Sequence, residues 1–146
     1  MKLIIQRVIE AEVVVNNKTI GKIGNGLLVF FGVSDKDVEE DIQWIVNKLI
    51  NLRIFNDEYN KMNLSVSDIK GEILVVPNFT LYADCQKGYR PSFTKAAKPE
   101  FSKPLFDKFV NYLKSISEIN IESGEFGADM KVFLINNGPV TIELEK

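Results

Sequence analysis

The chain has 146 residues, of which 45% are hydrophobic and 26% charged, enough for one domain with a real core. The counts of 18 basic and 20 acidic residues give a net charge of −2, which excludes a basic coat but not a local basic patch for nucleic acid. Histidine is absent and Cys85 is the lone cysteine, so a Ser-His-Asp triad, a Cys-His dyad, an internal disulfide and a Cys/His zinc site are all excluded.

Residues 2–9 and 11–15 are rich in Ile and Val and read as one long strand, or two with a break near Glu10. Asn16-Asn17 is a turn signal, and residues 18–23 form the returning strand. After Gly24-Asn25-Gly26, residues 27–33 are continuously apolar, as expected of a strand buried on both faces. Ser34 or Asp35 is the expected cap of a helix over residues 37–50, whose Val38, Ile42, Ile45, Val46 and Leu49 recur at spacings of three and four. A short strand at 51–55, a polar loop at 56–61 and a helical turn or loop at 63–70 follow.

Residues 72–76 form a strand that runs into Pro77-Asn78-Phe79-Thr80-Leu81, read either as more strand or as a substrate-binding strand end. A long irregular segment, 84–98, leads to a second amphipathic helix near Pro99, with an expected apolar face of Phe101, Leu105, Phe109, Tyr112 and Ile116. Pro104 falls in its first turns, where proline costs least. Residues 119–122, 131–135 and 140–144 are the expected closing strands, the last two flanking a turn at Asn136-Asn137-Gly138-Pro139. The expected fold is α/β: a single domain over 1–146 with about seven mostly antiparallel strands in barrel-like sheets and two main helices.

No run of apolar residues reaches the roughly 20 that a spanning helix needs, and Arg7 interrupts the N-terminal segment before a signal-peptide core forms. A cytoplasmic protein without membrane association is expected. No metal site and no cofactor motif is visible; Gly21-x-x-Gly24-x-Gly26 has the wrong order for a dinucleotide fingerprint and precedes no helix.

Four segments have a composition suited to chemistry. Asn136-Asn137-Gly138-Pro139-Val140-Thr141 reads first as a hairpin turn, and second as a place where fixed carbonyls read a substrate's shape. Asn78, Phe79, Thr80 and Ala83 lie at a strand end able to offer amides and an aromatic ring. Residues 85–99 carry Lys87, Arg90, Lys95 and Lys98 without an acidic residue, interleaved with Tyr89 and Phe93, as in a phosphate-binding loop. Gly124-Glu125-Phe126-Gly127-Ala128-Asp129-Met130 reads as a tightly packed loop before a strand. Cys85 reads as structural or incidental, since no histidine can activate it.

Two of these segments resemble signatures of the bacterial and eukaryotic D-aminoacyl-tRNA deacylases. That family carries Ser-Gln-Phe-Thr-Leu, matched here by Pro77-Asn78-Phe79-Thr80-Leu81, and Asn-x-Gly-Pro-x-Thr, matched in full by residues 136–141. Further matches run in order along nearly the whole chain, through Gln6-Arg7-Val8, Leu52-Arg53-Ile54-Phe55, Lys61-Met62-Asn63 and Lys87-Gly88-Tyr89-Arg90-Pro91-Ser92-Phe93.

The resemblance implies a homodimeric hydrolase acting on the ester of D-aminoacyl-tRNA, and on achiral glycyl-tRNA. It implies a cis Gly138-Pro139 element of one subunit entering the partner's site at Phe79 and Thr80, with the tRNA's 3′-terminal adenosine in the pocket. Phe79, Thr80, Gly138 and Pro139 are then the catalytic residues. Asn78, Asn136, Thr141 and Ala83 bind substrate, and Lys87, Arg90, Lys95 and Lys98 contact tRNA. No cofactor is implied, in keeping with an ester that is already an activated bond.

The family's Ser-Gln is Pro77-Asn78 here. A related animal deacylase with a trans Gly-Pro bond also carries proline at this position, although it lacks the Phe-Thr pair. A relaxed-chirality deacylase of L-alanyl- or glycyl-tRNA, a non-catalytic RNA-binding dimer and a purely structural dimer therefore stand as alternatives.

Overall fold

The computed structural model describes all 146 residues. Strand β1 (Lys2–Val15) is the spine. One of its edges pairs antiparallel with β8 (Lys131–Glu145) along its whole length. Its other edge carries β3 (Gly26–Gly32) opposite residues 2–8 and β2 (Lys18–Ile23) opposite residues 11–15, both antiparallel. Beyond β3 the sheet continues in parallel through β6 (Glu72–Pro77) to β7 (Ile121–Ser123). The sheet curls until β2 meets this far edge: a Cβ at Gly21 would lie 3.0 Å from a Leu74 methyl and 3.2 Å from the Ser123 carbonyl. A small hairpin of β4 (Phe55–Asn56) and β5 (Met62–Leu64) completes eight strands, against about seven expected, with antiparallel pairing in the majority.

Helices α1 (Asp41–Asn51) and α2 (Pro99–Ile116) pack on one face of the curled sheet. The larger core lies between them and takes Leu27, Val29 and Phe31 from β3 and Ile73 and Val75 from β6. A smaller core inside the curl takes the alternate residues Leu28, Leu74 and Val76. β3 is thus buried on both faces, which explains its unbroken apolar run. In β1, Leu3 and Ile5 face the helices while Ala11 and Val13 face the inner core. All four are odd-numbered, so the strand must change face between them. Val8 also faces the inner core, so alternation holds up to it, and the change falls at the Val8/Glu10 irregularity, where β1 carries one extra residue.

Several expectations are corrected. α1 starts at Asp41 rather than near 37, and neither Ser34 nor Asp35 caps it. The Asp37 carboxylate instead accepts from the Ser34 amide (2.8 Å) and hydroxyl (2.9 Å), and meets the Met1 amino group at 2.6 Å. That pairing folds residues 34–37 into a turn, and Val38 is left exposed. On α2 the buried face is rotated: Ser102, Leu105, Phe106, Phe109, Val110 and Leu113 are inside, while Phe101 and Ile116 are exposed. Ser102 tolerates burial because its hydroxyl donates to the Lys98 carbonyl at 3.0 Å.

The last two expected strands are one strand. Residues 131–135 and 141–145 pair with the same β1 in the same sense, so Gly138-Pro139 reverses nothing and is no hairpin turn. The expected strand at 51–55 shrinks to Phe55–Asn56, because α1 extends to Asn51. No helix is long and apolar enough to cross a membrane.

Candidate active site

β6 ends where Pro77 pairs with Phe31. The missing proline N–H falls at the last position of the strand, and the Asn78 amide takes up the Phe31 carbonyl at 2.8 Å. Chain direction then changes. Residues Phe79–Tyr82 form one 3-10 turn instead of continuing the strand. Asn78 caps it: its side-chain oxygen accepts from the Thr80 amide at 3.1 Å and from the Thr80 hydroxyl at 2.6 Å. The Thr80 amide is therefore engaged within the chain. The Phe79 amide has no intrachain acceptor, as expected for the first residue of a helical turn.

Beside this turn lies a cleft of about 410 Å³. Pro77, Asn78 and Phe79 form one wall and Phe93, Ala96, Ala97 and Pro99 another, with Phe31 and Val33 at the base and Phe126 and Gly127 closing it. It is a largely apolar recess with few polar groups, the usual character of a small-molecule site. A larger groove of about 590 Å³ between α1 and α2 is lined mainly by polar side chains such as Glu39, Gln43, Lys108 and Asn111. It holds none of the candidate site residues.

The Phe79 and Phe93 rings meet edge to face at 5.2 Å, and both remain exposed to the cleft side of the molecule. Tyr82 ends the turn with the Lys2 ammonium 5.5 Å from its ring centre. Burial, then the negative charges of Asp37 and Glu145, push its phenol far above the ordinary range, so it stays neutral. Ala83 follows, half-buried, its amide donating to the Thr80 carbonyl at 3.0 Å.

Gly138-Pro139 lies elsewhere. Gln6 pairs with Thr141 and Val8 with Asn136, so residues 137–140 stand opposite Arg7 alone and bulge from the sheet. The Gly138-Pro139 peptide is cis, and both residues are exposed. Asn136 ties the base of the bulge, donating to the Arg7 and Val140 carbonyls at 3.1 Å each. The buried Arg7 guanidinium donates from Nε to the Asn137 carbonyl at 3.1 Å and from Nη1 to the Ile54 carbonyl at 2.5 Å. The Thr141 hydroxyl accepts from the Gln6 side-chain Nε2 at 3.2 Å. The bulge and the Phe79 turn are not brought together within one chain. The turn abuts the Lys2 end of β1, and Arg7 is five residues further on, roughly 16 Å.

The basic segment lies beside the cleft. Lys87 and Arg90 are exposed without an ion pair, whereas Lys95 pairs with Asp84 at 2.9 Å. The Gln86 amide and this lysine hold the Asp84 carboxyl below its usual range. Lys98 is exposed at the N-cap of α2. Cys85 is exposed.

Arg7, which holds the bulge, lies outside the four segments whose composition suits chemistry. The signal available was its position in an otherwise apolar strand, where a charged residue needs buried partners. Phe31, Val33, Ala96, Ala97 and Phe126 reach the cleft from segments far apart in the chain, and no local pattern marks them.

The fold and site define a small α/β protein with a curled sheet, an apolar cleft at the end of a parallel strand, and a separate outward bulge. The chain belongs to the D-Tyr-tRNA(Tyr) deacylase family, whose model it matches over residues 4–145. It is 54% identical to the D-aminoacyl-tRNA deacylases of Thermosipho africanus and Thermotoga petrophila, over 99% of this chain and 97% of each of theirs. A solved structure described as c-Myc DNA unwinding element binding protein is similar at TM-score 0.94 and 40% identity, covering 100% of this chain and 99% of that one. Another, described as a probable eukaryotic D-amino acid tRNA deacylase, shares the fold at TM-score 0.85 and 21% identity, over 98% and 97% of the two chains.

Proposed function

We propose that this protein hydrolyses the ester bond of D-aminoacyl-tRNA, releasing the D-amino acid and tRNA. The full-length identity of 54% to enzymes named for that reaction carries the reading. Glycyl-tRNA is the second expected substrate, since it has no side chain to exclude.

The working unit is a homodimer. One chain presents the cleft at Phe79 and Thr80 and, about 16 Å away along β1, the bulge of Gly138 and Pro139. A second copy brings the bulge of one to the cleft of the other. The exposed Phe133 and Ile135 of the bulged strand and Ile9 of its neighbour β1 offer apolar area for that contact. The fixed carbonyls of the bulge then reject an L side chain by occupying its space.

The terminal adenosine lies in the cleft against Phe79 and Phe93. The Phe79 amide, free of an intrachain acceptor, is the donor placed to polarise the ester carbonyl. The Thr80 hydroxyl and Asn78 form the rim, Ala83 leaves room beside it, and Asn136 and Thr141 hold the bulge. Lys87, Arg90, Lys95 and Lys98 meet the phosphates of the acceptor stem. The work is done in the cytoplasm, where charged tRNA is found.

A binding role without hydrolysis is the second reading, favoured by the 40% identical structure described as a DNA-element binding protein. Purified protein incubated with D-tyrosyl-, L-tyrosyl- and glycyl-tRNA separates the readings. Loss of the D- and glycyl esters with the L-ester spared supports the chiral hydrolase. Comparable loss of D- and L-esters moves the assignment to a relaxed deacylase. Survival of all three leaves the binding role.

A further inference from the structure

Arg7 is buried, with 8% of its surface exposed, and no carboxylate lies within ion-pair distance of it. A guanidinium has five N–H donors. Two are used, on the carbonyls of Asn137 and Ile54. No buried side-chain nitrogen in the chain lacks a partner, so the unbonded Nη2 must still reach open space. Arg7 also lines a recess of about 220 Å³, together with Asn25, Asn56 and Asn137 and with Phe55 and Ile69. The side-chain amides of Asn25, Asn56 and Asn137 make no hydrogen bond within the chain. The recess shares no residue with the cleft at Phe79.

We infer that this recess is a binding site for a single phosphate-type oxyanion. A buried cation without a counter-ion is costly, and an anion bound at its free arm removes that cost. The donors come from four separate segments: β1, the β2–β3 turn, β4 and the β8 bulge. An acceptor with oxygens in several directions matches such a set better than a planar carboxylate does. The volume takes one tetrahedral group with a few waters, at ~30 Å³ for each water. The source is either a phosphodiester of bound RNA or free phosphate. The inference holds whether or not the protein hydrolyses esters.

The test is an NMR titration of the intact protein at constant ionic strength. It follows the Arg7 Nε–H and the side-chain amides of Asn25, Asn56 and Asn137. The probes are inorganic phosphate and a uridine trinucleotide, with chloride as control. Saturable shifts at these resonances are expected for at least one phosphate probe and not for chloride. Asn56→Asp and Asn25→Asp each replace an exposed side chain and so spare the fold. Each should weaken binding about tenfold or more, since a carboxylate faces the anion where a donor stood. A response to the trinucleotide alone names RNA as the source, and a response to phosphate, alone or with the trinucleotide, shows that the free ion suffices. Absence of saturable shifts with both probes, or affinities unchanged in both variants, overturns the site.

Discussion

The Nε of Arg7 donates to the Asn137 carbonyl at 3.1 Å, so a buried cation on β1 holds the residue that precedes Gly138-Pro139. The same side chain reaches the Ile54 carbonyl. Removing it leaves two carbonyls without donors. Arg7→Ala should cost about 2–3 kcal/mol, measured by urea unfolding. D-ester hydrolysis should fall further than the lost folded fraction explains, because the bulge loses its anchor. Arg7→Lys, with its point charge, should recover stability better than activity.

Gly138 has a φ of +124°, and a Cβ there would come within 2.8 Å of Arg7 Nη2. Gly138→Ala should leave the fold intact, since the bulge is exposed, yet displace the Arg7 contact. Deacylation that drops at least about tenfold with a melting temperature lowered by a few degrees is the expected pair of readings. Wild-type activity in this variant would remove the bulge from the chemistry.

Gly26 is the stability counterpart. A Cβ there would sit 1.9 Å from the Glu72 carbonyl oxygen, where β3 and β6 begin their parallel pairing. Backbone cannot yield as a side chain tip can. Gly26→Ala should therefore cost about 3 kcal/mol or more and lower the soluble yield, as overpacked sites do.

Thr80 and Asn78 should separate in their effects. Thr80→Ala removes the hydroxyl but leaves both amides, and activity should be largely retained if the Phe79 amide is the working donor. Asn78→Ala releases the Thr80 amide and hydroxyl together and should cost about 1 kcal/mol in stability. Single-turnover deacylation of the two variants should rank Asn78→Ala as the more damaged.

On the acid side, Asp57 accepts from the amides of Lys61 and Tyr59 and from the Asn63 side chain, closing the β4–β5 hairpin. These bonds, the Lys61 amide foremost, hold its carboxyl below the usual range. A depressed carboxylate contributes stability above the ordinary carboxylate range and loses it as pH falls through the depressed value. Protection of the Tyr59 and Lys61 amides, taken against the intrinsic exchange rate at each pH, should fall below about pH 4. In Asp57→Ala that protection should be low at every pH.

The strand positions of the first third were legible because apolar runs and turn residues alternate there without conflict. Residues 27–33 announced burial on both faces, and β3 has it. The Gly138-Pro139 bulge was not legible. Turn chemistry looks the same whether the chain reverses or merely steps out of a ladder, and only pairing with β1 on both sides decides. On α2, Phe101 and Ile116 satisfy helical spacing yet stay exposed, while Ser102 is buried because its hydroxyl donates to the Lys98 carbonyl. The motif at 77–81 was legible, but its shape was not. The capping of Thr80 by Asn78 turns a strand end into a 3-10 turn, and this is a local hydrogen-bond competition that periodicity does not register.

Strand β8 is hydrogen-bonded to β1 on one side and to no strand on the other. Fifteen residues of open ladder would invite any extended chain to add itself there. The bulge at 137–140 cuts that length into two short pieces, and Pro139 offers no N–H to a newcomer. Lys131, Glu143 and Glu145 add charge near its ends. The residues proposed to read chirality therefore also interrupt an open strand edge on which another chain could template itself.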